Sequence, residues 1–467
     1  MYFEQFYLTC LAHASYMFGS KGEAAVVDPQ RDVDIYVQAA EEQGLKIRHI
    51  FETHLHADFV SGHKELARRT GATIYIGAEA GATFPHVALR DGFEVKVGNV
   101  RVRALETPGH TPEGICLEVF DEATGAKTGL GEPFAVLTGD TLFIGDVGRP
   151  DLSRTYTAQQ LAGMLYDSLH QKLMPLADSV KVYPAHGAGS LCGRNMRAEK
   201  SSTIGTERLT NYALQIASRE EFVRQMTANL PTRPNYFLED AEINRSGAAA
   251  LTELGPLEAL SPLDVQKLLQ QNAWVLDVRS GSDFAAGHVP GSVNIGLSGQ
   301  FASWAGAILG VHSNPVLVAD TGSQIEEARM RLARVGVEEV RGCLAGGVGA
   351  WRKAGLPVLE TPQITPQILC ERLVDDDGRK VKVLDVRREG EWQAGHIAQA
   401  EWHALDAFPR ELPKIDAART VAVHCKSGYR SMIACSLLER AGYRNAVNVT
   451  GGFDAWRAAG LPESSSQ

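Results

Sequence analysis

The sequence predicts a multidomain α/β protein, and three observations carry that expectation. The chain has 467 residues, 44% of them hydrophobic, enough for roughly three domains with cores of their own. Short apolar strands alternate with helical patterns through the first half. The second half repeats itself: Val275-Leu276-Asp277-Val278-Arg279 recurs as Val383-Leu384-Asp385-Val386-Arg387, Gly287-His288 as Gly395-His396, and Gly346 to Trp351 as Gly451 to Trp456. The offset, about 105 to 108 residues, is of domain length, so these are duplicated domains and not a solenoid.

In the first half, strands are expected at Ala24 to Asp28, Ile47 to Phe51, Thr73 to Ile76 and Val100 to Leu105, each a short apolar run bounded by turn residues. Helical patterns lie between them, at Asp32 to Gln43 and Lys64 to Arg69. Further strands, Phe134 to Leu137 and Val180 to Tyr183, end in Thr138-Gly139-Asp140 and Pro184-Ala185-His186-Gly187. Residues 205–230 read as one helix. The segment Leu230 to Phe237 breaks it, because its prolines cannot continue a helix. Residues 244–261, rich in Gly, Ala and Pro, read as a linker. The expected domains are 1–243, 262–359 and 366–463.

Composition narrows the partners. The net charge of −10 argues against nucleic acid and anionic membrane. Seven cysteines, without a CxxC pair, fit neither a zinc knuckle nor a disulfide scaffold. The N-terminus has no basic segment followed by an apolar core, so it is not a signal peptide, and no apolar run reaches membrane-spanning length. The expected location is cytoplasmic, with reduced thiols.

The densest chemistry lies in Thr53-His54-Leu55-His56-Ala57-Asp58-Phe59, just past an expected strand. Imidazoles and a carboxylate in a strand-end loop suit a first-row metal. Gly109-His110-Thr111, Thr138-Gly139-Asp140 and Ala185-His186-Gly187 follow in order. As a set these motifs resemble the metallo-β-lactamase fold, an αββα sandwich, over about residues 1–240. Two-metal hydrolases of that fold, such as glyoxalase II, carry His directly after the Asp, whereas this chain has Phe59. A phenyl ring cannot ligate, which favours one metal. His54, His110 and Asp140 would then form a two-His, one-carboxylate facial triad suited to non-haem Fe(II).

That arrangement resembles the persulfide dioxygenases. The resemblance implies one Fe(II) per chain on His54, His110 and Asp140. His56, Asp58 and His186 would orient ligands or hold water, or form a vestigial second site. Zinc or manganese could occupy the same three ligands. The resemblance also makes Arg149 a candidate for binding the substrate's carboxylate; the alternative is a structural pair with Asp151. Cys192 lies close in sequence to His186, and Arg194 and Arg197 nearby could lower its pKa. It is either a sulfur-carrying thiol facing the metal or a buried small hydrophobe.

In the last repeat, Cys425 follows the strand Val421 to Val423 and precedes a helical pattern. Converging backbone N–H groups at such a turn favour a thiolate or a bound persulfide. The loop Cys425-Lys426-Ser427-Gly428-Tyr429-Arg430-Ser431 could also be a phosphatase loop. The flanking repeat motifs decide for a resemblance to a rhodanese domain, with Lys426 and Arg430 attracting an anionic acceptor. In the first copy the same alignment puts Asp320 at the cysteine position, and Ser323 and Ile325 where the second has Gly428 and Arg430. An aspartate cannot carry sulfane sulfur, so this copy is read as a degenerate rhodanese, a spacer or a dimer surface in what would be a homo-oligomer.

The domain order resembles bacterial fusions of persulfide dioxygenase with an inactive and an active rhodanese, found with sulfide detoxification. It implies oxidation of a low-molecular-weight thiol persulfide, such as glutathione persulfide, by O2 to sulfite, and sulfur transfer through Cys425 to give thiosulfate. The alternatives are a zinc-dependent thioester hydrolase like glyoxalase II, and a non-catalytic persulfide sensor.

Overall fold

The computed structural model describes residues 1–123, 131–228, 230, 232–375, 381–416 and 418–465. The chain divides into two compact units, residues 1–254 with 333–336 and residues 255–332 with 337–467.

In the first unit six strands, β1 (Tyr2–Leu8), β2 (His13–Ser20), β3 (Glu23–Val27), β4 (Lys46–Glu52), β5 (Thr73–Gly77) and β6 (Val87–Leu89), pair in chain order. Six more, β7 (Glu94–Val97), β8 (Val100–Glu106), β9 (Ile115–Asp121), β10 (Ala135–Gly139), β11 (Lys181–Pro184) and β12 (Ser202–Thr203), form a second sheet in the same sequential order. Alternation along the strands sorts the layers, since neighbouring side chains point to opposite faces. Phe18, Phe51, Val102, Val119 and Leu137 meet in the core shared by both sheets. Met17, Ile50, Cys116 and Val136, at the alternate positions of the same strands, face outward. There Tyr36 and Leu66 cover the first sheet, and Leu165 and Phe222 the second. Helix, sheet, sheet, helix is the four-layer αββα sandwich that the sequence led us to expect.

The helix expected over 205–230 is two helices, Ile204–Thr210 and Arg219–Thr227. Asn211 breaks it. Its buried side-chain amide donates to the carbonyls of Phe143 and Asp146, which draws the backbone out of the helical path. The second helix restarts with Ser218 accepting from the Glu221 N–H. Asn229, at the expected end of that helix, and Pro231, in the expected break, lie outside the described residues.

The second unit holds the repeat. Strands β13 (Ala259–Leu260), β14 (Val275–Asp277), β15 (Val293–Asn294), β16 (Val316–Val318) and β17 (Gly342–Leu344) form a parallel sheet in the order β13-β17-β16-β14-β15. Strands β18 (Gln363–Ile364), β19 (Val381–Asp385), β20 (Ala400–Trp402), β21 (Thr420–His424) and β22 (Ala446–Val449) reproduce it as β18-β22-β21-β19-β20. The shared motifs build the frame. Asp277 and Arg279 pair at 2.6 Å, as do Asp385 and Arg387. Each arginine also donates to a glycine carbonyl, Gly287 or Gly395. Trp351 and Trp456 are buried and donate to Pro357 and Pro462. Among the described residues no helix is long and apolar enough to cross a membrane.

Candidate metal centre and cysteine loop

His54 leaves the end of β4, His110 the end of β8, and Asp140 the end of β10. All three are buried, and their ligand atoms lie within 4.8 Å of one another. Asp140 Oδ2 is 3.3 Å from His110 Nε2 and 3.8 Å from His54 Nε2. Bonds of about 2.0–2.2 Å to one ion would put such atoms roughly 3–4.4 Å apart, so the spacing fits.

The proton positions fit as well. His110 Nδ1 lies 2.9 Å from the Arg149 carbonyl, which can only accept, so its proton is on Nδ1 and Nε2 keeps a lone pair. The Thr53 hydroxyl donates to Asp28 at 2.8 Å and therefore accepts from His54 Nδ1 at 3.0 Å. His54 Nε2 is likewise left as an acceptor. Among the described residues neither Nε2 has a hydrogen-bond partner, although a buried polar atom without one is costly. Burial and then His56 push the His54 imidazole well below its usual pKa, and burial lowers His110 despite Asp140. Burial alone would raise Asp140, but His186 and His54 hold its carboxyl well below the ordinary range. Two neutral imidazoles and a carboxylate are the protonation states a metal requires.

His56, Asp58 and His186 form a second buried triad beside the first. His186 Nδ1 is 2.8 Å from Asp140 Oδ1, and its Nε2 is 3.0 Å from Asp58. Burial lowers His186, but the two carboxylates outweigh it and raise it well above its usual value. It thereby orients the Asp140 carboxylate. His56 packs at a tilt against His54, with ring centroids 4.1 Å apart. Phe59 packs on His56 at 4.4 Å and on His13 at 4.1 Å. The triad has the donor set of a second metal site, one nitrogen short where Phe59 stands.

The structure bears on two readings from the sequence, both of which carry alternatives. The Arg149 guanidinium is bidentate with Asp151 at 2.7 and 2.9 Å and also meets the Leu191 carbonyl. Its geometry is that of the structural pair, and its direct service to the centre is the backbone carbonyl on His110. Cys192 does reach the centre, with its sulfur clustered with Asp140 and His186. Its pKa is not lowered, however. Burial and then Asp58 and Asp140 push it well above the usual thiol value, while Arg194 turns to the Met226 carbonyl and Arg197 to Glu207. His13 was not legible as a site residue. It is fully buried against His56, Phe59 and His186, and neither ring nitrogen has a partner among the described residues. A single histidine at the start of an apolar strand gives no spacing signal.

In the second unit Cys425 follows β21. The Gly428 N–H donates to its sulfur at 3.1 Å, from a backbone φ of 104° that glycine adopts without strain. Helix Tyr429–Arg440 starts there. Gly452 must also be glycine, since a Cβ would lie 2.3 Å from the Cys425 carbonyl. Ser431 points inward to Asn448 at 2.6 Å, while Lys426 and Ser427 are exposed. Arg430 does not stand open to an acceptor as expected. Glu391 holds it bidentately at 2.6 and 2.7 Å, which leaves Lys426 as the exposed cation of the loop.

The first copy's loop corrects the alignment. Val278 N–H bonds the Val318 carbonyl, and Val386 N–H bonds the His424 carbonyl, so Val318 matches His424. The residue matching Cys425 is therefore Ala319, not Asp320. Gly347 meets the Ala319 carbonyl just as Gly452 meets that of Cys425. The first loop is also one residue shorter before its helix, Gly322–Ala333. Its N–H groups are taken, because Gln324 Oε1 accepts from Asp320 and Thr321 at 3.0 and 3.1 Å. Alanine offers no nucleophile, and Gln324 already occupies two of the loop's backbone donors.

Sequence comparison accounts for both units. Residues 8–186 match the Metallo-beta-lactamase superfamily, and residues 261–354 and 367–459 each match the Rhodanese-like domain. A hydroxyacylglutathione hydrolase of Rhodopseudomonas palustris is 31% identical over 53% of this chain and 89% of its own length. The chain belongs to the metallo-beta-lactamase superfamily. Bovine mitochondrial persulfide dioxygenase ETHE1 is also 31% identical, over 46% of this chain and 77% of its own. A crystal structure of a metallo-beta-lactamase from Staphylococcus aureus aligns with a TM-score of 0.66 at 30% identity, covering 74% of this chain and 98% of that one. As an enzyme of the metallo-beta-lactamase superfamily with tandem Rhodanese-like domains, the chain carries a metal-binding His/Asp centre in its first unit and a cysteine loop in its second.

Proposed function

We propose that the first unit is a non-haem iron persulfide dioxygenase, and that Cys425 in the second transfers sulfane sulfur. The observation that carries this is the triad His54, His110 and Asp140, preset in metal-ready protonation states, on the same chain as a rhodanese loop with an intact cysteine. Iron bound there would supply the reduction of O2. The overall change balances as RSSH + O2 + H2O giving RSH, sulfite and two protons. Thr53, Arg149 and His186 hold the three ligands in orientation. In the second unit the Cys425 thiolate attacks the outer sulfur of a second persulfide, breaks its S–S bond and releases thiolate. Sulfite then attacks the Cys425 persulfide and leaves as thiosulfate, regenerating the thiolate. The Gly428 N–H supports the sulfur anion in both steps. Carriage of both reactions on one chain raises the effective concentration of sulfite near the second step.

The thioester-hydrolase reading has the triad His56, Asp58 and His186 in its favour, with zinc on both triads; Phe59 and the rhodanese units weigh against it. The test is O2 uptake by iron-quantified protein given glutathione persulfide, with sulfite and thiosulfate followed together. Uptake with about one iron per chain, as a single facial triad binds, supports the dioxygenase. Two zincs per chain, thioester turnover and no uptake would replace it with the hydrolase.

A further inference from the structure

Helix Tyr429–Arg440 begins at the Cys425 loop and lies along the first rhodanese copy. Five of its residues mark one stripe of it. The Tyr429 hydroxyl donates to the Gly296 carbonyl at 2.8 Å, and a Cβ on Gly299 would lie 3.6 Å from its ring. A Cβ on Gly281 would lie 3.3 Å from Met432. The Ser436 hydroxyl accepts from the Asn294 N–H at 3.0 Å. Glu439 is 3.0 Å from His288 Nε2, and the Arg440 guanidinium donates to the Gly291 and Asn272 carbonyls. Positions 429, 432, 436 and 439–440 recur at helical spacing, so they share a face. Asn294 lies in β15, and His288, Gly291, Gly296 and Gly299 lie just before or after it; β15 is the edge of its sheet. The helix thus covers an edge strand that would otherwise present unpaired backbone groups.

We infer that the first copy, which has alanine where the second has Cys425, is the positioning element for the Cys425 loop, with Tyr429, Ser436 and Glu439 as positioning residues. Tyr429 is the decisive one. It sits between Gly428, whose N–H meets the sulfur, and Arg430, which Glu391 fixes. Its bond to Gly296 anchors the first turn of the helix from outside the second copy. With that turn held, the Gly428 N–H stays directed at the Cys425 sulfur, which gives the copy with Ala319 in its own loop a role. The inference rests on Cys425 being the sulfur carrier, but its geometry is testable separately.

The experiment uses the full chain. Tyr429→Phe keeps the ring and removes one hydrogen bond. Thiosulfate:cyanide turnover should lose about three- to tenfold in kcat, within the net worth of one hydrogen bond, with KM for thiosulfate and O2 uptake unchanged. Alkylation of Cys425 by iodoacetamide, followed by peptide mass, should shift its pH profile upward in the variant. Glu439→Gln and His288→Gln should act non-additively on the same kcat. Unchanged kcat and alkylation profile in Tyr429→Phe, or strict additivity of the pair, would overturn the inference. If wild type turns over no thiosulfate, the sulfur-carrier reading fails, and the alkylation profile still decides the positioning.

Discussion

Replacing Thr53 by valine should weaken metal binding without touching a ligand. The Thr53 hydroxyl links His54 Nδ1 at 3.0 Å to Asp28 Oδ2 at 2.8 Å, and the Thr53 N–H fixes the other Asp28 oxygen at 2.7 Å. Valine keeps the volume and that backbone bond but ends the link. His54 then loses the acceptor that fixes its tautomer and ring angle. Loss of such a partner typically costs 10- to 100-fold in metal affinity, or about 1.4–2.7 kcal/mol. The vacated Asp28 oxygen is buried, which adds about 1–3 kcal/mol of lost stability. Titration against a competing chelator at fixed pH measures the first effect, and urea unfolding of metal-free protein the second. Thr53→Ser restores the hydroxyl and should recover both. Wild-type affinity in Thr53→Val, or an equal fall in Thr53→Ser, would refute the reasoning.

His110→Ala should lose bound iron and O2 uptake together, read by metal analysis and an oxygen electrode; retention of either removes His110 from the ligand set. Cys425→Ser should keep O2 uptake while product shifts from thiosulfate to sulfite, and unchanged thiosulfate would direct attention to Cys192. Adding Ala319→Cys to Cys425→Ser should restore no sulfur transfer, because the first loop is a residue short and Gln324 holds its donors; measurable turnover would contradict that account. Burial lowers the His424 pKa to about 4, against roughly 6.5 when unfolded. The unfolded chain therefore takes up the proton first as pH falls. Stability of up to about 3 kcal/mol is fully present above pH ~6.5 and is lost toward pH ~4. Urea midpoints at pH 7.5 and 4.5 should differ less in His424→Gln than in wild type, and equal shifts would exclude His424 as the source.

Much of the metal centre is legible in the sequence because its residues sit just past apolar strands, where local pattern marks them. His54, His110, Asp140 and His186 are of this kind. Features that depend on what lies opposite are not. The partner of Arg149 is two residues away, but that of Arg430 is Glu391, 39 residues distant. The carboxylates that raise Cys192 come from two other loops, so the arginines beside it in sequence misled. The match of Ala319 to Cys425 is hidden because the deletion falls inside the loop, while the flanking motifs keep nearly constant spacing. Only strand register exposes it. The break at Asn211 has the same origin, in carbonyls some 65 residues upstream.

The candidate metal ligands come from both sheets of the sandwich, His54 from the first and His110 and Asp140 from the second. An ion shared among them is therefore a clasp across the seam between two halves of the first unit. Stability and cofactor supply then become one quantity. Each tenfold rise of free metal above its dissociation constant adds about 1.4 kcal/mol to the closed form. Metal scarcity would then lower the abundance of such a protein as well as its rate, since the metal-free fraction has less stability to set against proteolysis.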